Sequence, residues 1–165
     1  MNMKNKELPT PPNAKPIETL SLIMKRDEAM RIVKGEKNVE FRDYSDFYCD
    51  RLLDDDVYKW SEQMVKKGYD KEMVYSVVDL QREVGKIHFH NYNNTWYLDV
   101  SVSYNGNMTI DADDVGFLQS EYGCHEMDSS LKAVEDDIRK GTISEAERPK
   151  AFFFVIDEIL DTNLS

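Results

Sequence analysis

The sequence predicts a mixed α+β fold: a small barrel of irregularly mixed strands with helices flanking it. Three observations predict it. Residues 86–92 and 95–104 alternate apolar and polar side chains, the two-residue period of half-buried strands. Residues 151–160 are almost continuously apolar, as in a central strand covered on both faces. Segments with helical periodicity fall between and around these strands without regular alternation, which disfavours a βαβ sandwich.

The elements follow in order. Residues 1–17 form a proline-rich tail, expected to be flexible and dispensable for folding, because four of the five prolines lie there and little in it can join a core. The rest, 18–165, reads as one domain with a helical insertion near 45–83. Residues 20–24 suit a first strand. Residues 26–34 suit a helix with Ala29, Met30 and Val33 on one face, and Gly35 stands where a helix C-terminal glycine belongs. Residues 38–42 alternate, Val39 and Phe41 against Glu40 and Arg42.

Asp55 or Asp56 can cap a helix carrying Val57, Trp60 and Met64, ended by Gly68. Residues 73–82 fit helix or strand equally. In 86–92, Ile87 and Phe89 oppose His88, His90 and Tyr92; Asn93-Asn94 marks a turn. In 95–104, Trp96, Leu98, Val100, Val102 and Tyr104 oppose Tyr97, Asp99, Ser101 and Ser103. Asn105-Gly106 reads as a hairpin turn, since both residues tolerate positive φ. Asp111 can cap a helix carrying Val115, Leu118 and Tyr122 and closed by Gly123; Ser129 can cap another carrying Leu131, Val134 and Ile138 and closed by Gly141.

Composition narrows the function. The chain has 165 residues, 41% of them hydrophobic, enough for a core. Its 21 basic and 32 acidic side chains leave a formal charge of −11. Phosphate neutralisation by a basic face is thereby disfavoured, and no duplex DNA binding is expected. The opening residues lack a signal-peptide core, and no apolar run approaches the roughly 20 residues of a membrane span. A cytoplasmic protein without membrane partner is expected, with Cys49 and Cys124 as free thiols.

Residues 33–42, Val33-Lys34-Gly35-Glu36-Lys37-Asn38-Val39-Glu40-Phe41-Arg42, are similar to the signature of the ASCH family: a helix ending in Gly-x-Lys, then a strand reading x-x-Glu-x-Arg. Residues 87–100 resemble that family's paired-strand block, 123–128 the loop after its late helix, and 152–164 its closing strand. The likeness spans about 20–164, apart from much of 45–83. It implies a PUA-like pseudo-β-barrel with a cleft beside the Gly-x-Lys loop, and ligands such as modified nucleotides or single-stranded RNA. One bacterial branch hydrolyses the amide of acetylated cytidine with a lysine, a threonine and a glutamate. The lysine falls on Lys37 and the glutamate on Glu126, while Glu40 stands where the threonine would be.

The candidate catalytic residues are therefore Lys37 and Glu126, and the candidate ligand-binding residues Lys37, Glu40, Arg42, Tyr92 and Tyr97. A lysine that acts as base or nucleophile needs a depressed pKa, for which Arg26, Lys34 and Arg42 are the available cationic neighbours. A lysine paired with Glu36 or Glu40 is the structural alternative. Glu40 and Arg42, about 6.5–7 Å apart along one strand face, can hold a base edge or phosphate, or pair with each other across the barrel mouth. Tyr92 and Tyr97, on polar strand faces, can stack a base. His88, His90, Cys124 and His125 lack the spacing of a metal motif, and no metal or cofactor is expected. The acidic clusters at 54–56, 111–114 and 135–137 suit helix starts and solvated helix faces. Three functions compete: binding of a nucleotide-like ligand or single-stranded RNA, amide hydrolysis on an acylated nucleoside, and an acidic protein-interaction domain.

Overall fold

A computed structural model describes residues 7–165. The chain divides into two compact units. One is Ile17–Tyr44 with Val84–Ser165, and the other combines residues 7–16 with Ser45–Glu83.

The first unit holds five strands and three α-helices: β1 (Ile17–Ile23), α1 (Arg26–Val33), β2 (Val39–Asp43), β3 (Val84–His90), β4 (Tyr97–Thr109), then α5 (Ala112–Tyr122), α6 (Asp128–Arg139) and β5 (Lys150–Thr162). Helices α2 (Asp46–Leu52), α3 (Asp55–Lys66) and α4 (Lys71–Ser76) belong to the other unit. The sheet order is β1-β3-β4-β5-β2, with β1 parallel to β3 and all other pairs antiparallel. Cross-strand rows Leu20–Ile87–Val100 and Leu22–Phe89–Leu98 are buried on one face. On the other face, Val39, Met108, Ala151, Phe153 and Val155 pack with Val115 and Leu118 of α5 and Val134 of α6.

The sheet is α+β as expected but is not closed into a barrel. β2 has five residues, and its ladder is formed with β5 alone. What spans the two edge strands is a side chain: Arg42 Nη2 of β2 donates to the Ile23 carbonyl of β1 at 2.9 Å.

The largest departure from expectation is at Asn105-Gly106. These residues do not turn. They lie within β4, which runs 13 residues, opposite Phe154 and Phe153. Neither has positive φ. A Cβ at Gly106 would stand 3.4 Å from the Phe153 ring, a snug but ordinary contact. The Asn105 side chain accepts from Val84 N at 2.9 Å. The pair continues the strand and makes no turn.

Several local signals act as read. The Asp111 side chain caps α5 by accepting from Asp114 N (2.8 Å), and Gly123 closes it at φ 62°. Asn94 takes φ 54° in the turn after β3. Helix α6 starts at Asp128, so Ser129 sits inside it and Met127 is the N-cap. In α1 the buried positions are Ala29 and Ile32, while Met30 and Val33 are half-buried.

The second unit holds α2 (Asp46–Leu52), α3 (Asp55–Lys66) and α4 (Lys71–Ser76), so the ambiguous segment 73–82 begins as helix and continues without one. Asp54 caps α3, not Asp55 or Asp56. It is buried and accepts from Val57 N (3.0 Å) and from Lys15 N (2.8 Å). Residues 7–16 form no helix or strand, yet they are anchored. Leu8 packs on Met64, Tyr69 and Val74, Tyr69 Oη donates to Glu7 O, and Arg82 Nε donates to Lys15 O. The extended backbone of these residues supplies hydrogen bonds that its composition does not announce, and whether they make the tail indispensable is a matter for deletion. Residues 1–6 lie outside the described residues. Among the described residues no helix is long and apolar enough to cross a membrane.

Candidate functional site

Gly35 turns the chain out of α1 at φ 75°, with Glu36 N and Lys37 N both donating to Arg31 O. That turn folds Lys37 back beneath the helix. Its side chain is only 6% exposed, and its Nζ lies 2.8 Å from Glu28 Oε2, 3.2 Å from Glu40 Oε1 and 3.7 Å from Glu126 Oε2. Arg31 bridges the same acids, at 3.2 Å to Glu28 and 3.1 Å to Glu126. Arg42 reaches Glu40 at 3.3 Å. Three cations and three carboxylates thus form one network of α1, the Gly35 turn, β2 and the loop between α5 and α6.

The network settles the protonation of Lys37. Burial works to lower its pKa, but the charges of Glu40, Glu28 and Glu126 and their hydrogen bonds outweigh burial and raise it. Lys37 is therefore held as an ammonium. The groups nearest its ammonium are carboxylates, and of the two pairings considered for an ion-paired lysine the one with Glu40 is present. Glu28 is lowered in turn, first by its hydrogen bond from Lys37. Glu40 is pinned further by Phe41 N, which donates to its Oε1 at 3.0 Å.

Beside this turn lies a cleft of about 440 Å³, lined by Ile32, Val33, Gly35, Lys37, Asn38 and the β5 residues 156–159. The Asn38 carbonyl accepts from Ile156 N at 2.8 Å, extending the β2–β5 ladder to the cleft, and its side chain donates to Tyr122 O at 3.0 Å.

Of the candidate residues, Lys37, Glu40, Arg42 and Glu126 are brought into one network, and Lys37 also lines the cleft. Glu40, Arg42, Glu126, Tyr92 and Tyr97 are not part of its lining. Tyr92 is 81% exposed at the β3–β4 turn. Tyr97 stacks on His88, which stacks on His90, and Tyr97 Oη donates to Asp161 at 2.9 Å. His88 Nδ1 is hydrogen-bonded to Asp99. Among the described residues no group of three or more histidine, cysteine or acidic side chains is arranged to hold a metal.

Sequence reading missed Glu28 and Arg31. Both lie on α1 within two turns of Gly35 and three residues apart, a spacing that places them on one helix face. It also missed Asp157 and Glu158, which line the cleft. The helical unit carries a concavity of its own, about 820 Å³, lined by Asp46, Asp50, Asp54, Asp55, Cys49 and Tyr58 among others.

No protein-family model matches the chain, and no curated protein does. Among solved structures, it is similar to the crystal structure of a mutant ZmASCH protein from Zymomonas mobilis. The sequence identity is 14% and the TM-score 0.41, over 87% of this chain and 70% of that one.

Proposed function

We propose that the cleft beside Gly35 and Lys37 binds one small nucleoside-like ligand. The observation that carries this reading is the ammonium of Lys37, buried among three carboxylates at the edge of a cleft. A buried charge network is expensive to assemble, and such groups concentrate at functional sites. The cleft's volume falls within the roughly 300–1,000 Å³ of small-molecule sites. Ile32, Val33, Ile156 and Ile159 offer apolar walls for a base, and the Asn38 amide offers polar recognition. A single ligand is favoured over single-stranded RNA because the chain's charge of −11 opposes a polyphosphate backbone. Free Cys49 and Cys124 suit a reducing cytoplasm.

The test is calorimetry with a panel of natural and modified nucleosides, comparing wild type with Ile159→Arg. Residue 159 is exposed on the cleft wall, so the variant fills the cleft without disturbing the core. Saturable binding lost in the variant supports the reading. Absence of binding across the panel overturns it.

A second reading, amide hydrolysis on an acylated nucleoside, is favoured by the 3.7 Å approach of Lys37 Nζ to Glu126. Glu126 would take a proton from the attacking water, and the Lys37 ammonium would give one to the leaving amine. Release of acetate from acetylated cytidine, abolished in Glu126→Gln, supports it. No release by the wild type leaves binding alone.

A further inference from the structure

The cleft has a second charged wall, created by an irregularity in the sheet. Where β4 meets β5 the register slips: Val100 faces Ile159 and Val102 faces Ile156. Asp157 and Glu158 therefore both stand opposite Ser101, the two-against-one arrangement of a β-bulge. Glu158 N donates to Ser101 Oγ at 3.0 Å. Bulges bend a strand and re-aim its side chains, and this one lies where β5 lines the cleft.

Among the described residues the charge on that wall has no paired cation. Asp157 and Glu158 are exposed, and neither has an ion-pair partner among the described residues. Lys37, the one cation among the described residues that line the cleft, is already engaged by Glu28, Glu40 and Glu126. Between these groups the walls are isoleucine and valine. A phosphate entering the cleft meets two carboxylates and an ammonium that is already neutralised. A protonated amine meets two open acceptors.

We infer that Asp157 and Glu158 set the charge of the ligand: the cleft takes a ligand that carries a cationic or amino group and rejects one that carries a phosphate. This deepens the proposed binding site and rests on the same cleft, but it concerns the field within it and is measurable without any ligand.

The experiment uses the full chain, labelled for amide NMR, with three soluble nitroxides of one ring type bearing an amino, a neutral carbamoyl or a carboxylate group. Relaxation of the Gly35, Lys37, Asn38 and Ile159 amides by the amino probe should exceed that by the carboxylate probe about threefold at low salt, as expected for unit charges a few ångströms away. In Asp157→Asn/Glu158→Gln the ratio should fall towards one. An equal or inverted ratio in the wild type overturns the inference, and so does a ratio unchanged by the double substitution. Calorimetry with cytidine and its 5′-monophosphate gives a second arm. The monophosphate should bind about tenfold more weakly, whereas equal or tighter binding overturns the inference. If neither binds, the nucleoside reading fails while the nitroxide result still decides the charge of the cleft.

Discussion

Replacing Lys37 with methionine keeps most of its apolar stem and removes the ammonium. Breaking a buried ion pair by deleting one partner costs about 3–5 kcal/mol, because the remaining charge is stranded. The surroundings reduce that figure. Glu28 and Glu126 retain side-chain exposures of 39% and 30%, so water can take over there. Glu40 is 8% exposed, but it keeps Arg42 at 3.3 Å and Phe41 N at 3.0 Å. The expected loss is therefore about 2–3 kcal/mol, or about 5–10 °C in melting temperature at this chain length. A stability unchanged by this substitution does not fit a side chain that is 6% exposed and ion-paired with three carboxylates. Adding Glu40→Gln to Lys37→Met should recover part of the loss, because it removes the stranded carboxylate. Urea denaturation of the two single variants and the double variant gives the coupling, expected at about 1–2 kcal/mol. A melting temperature within about 2 °C of wild type for Lys37→Met would refute the reasoning.

The same network fixes a pH dependence. Lys37 has a raised pKa in the folded protein, so its contribution is full below the unfolded lysine value and is lost as pH rises through the folded one. Glu28 has a lowered pKa, so its contribution is present above the unfolded glutamate value and is lost as pH falls through the folded one. Denaturation across pH should show the wild type's advantage over Lys37→Met shrinking at both the alkaline and the acid end. Gly106→Val should destabilise by about 1–3 kcal/mol by pressing on the Phe153 ring, while Gly106→Ala should cost less than about 1 kcal/mol, since its Cβ makes only ordinary contact there; equal effects would contradict a limit set by Phe153 on side chains larger than alanine. Deleting residues 1–16 should lower the melting temperature by several degrees, and Leu8→Ala should reproduce part of that loss by uncovering Met64, Tyr69 and Val74; an unchanged melt would show the anchoring to be energetically neutral. Asp111→Ala should cost about 1 kcal/mol by removing the cap of α5. Anisotropy with random duplex DNA at physiological salt should show no binding.

The elements that read correctly from the sequence are those whose signal is local. Gly35, Gly123 and Gly141 mark helix ends because a left-handed residue is needed immediately after the last turn, whatever the helix packs on. Ile87, Phe89, Leu98 and Val100 announce their strands because burial on one face imposes a period of two. Asn105-Gly106 misleads because the same residue pair serves two needs. Its backbone tolerance suggests a turn, but pairing with Phe154 and Phe153, far along the chain, holds both residues in β4. Three successive aspartates at 54–56 leave the cap of α3 undetermined until Lys15 and Val57 select Asp54. At the site, Lys37, Glu40 and Arg42 are legible as neighbours on one turn and strand. Glu28 and Arg31 look like a solvated helix pair until the Gly35 turn brings Lys37 beneath them. Asp157 and Glu158 reach the cleft through a register slip, which depends on two strands at once and leaves no mark in either.

The most direct test of the central claim is amide NMR of the full chain titrated with nucleosides. Saturable shifts are expected at Gly35, Lys37, Asn38 and residues 156–159, the lining of the cleft. Shifts confined to Tyr92 and Tyr97, or no saturable shift with any nucleoside, would contradict a binding site beside the Gly35 turn.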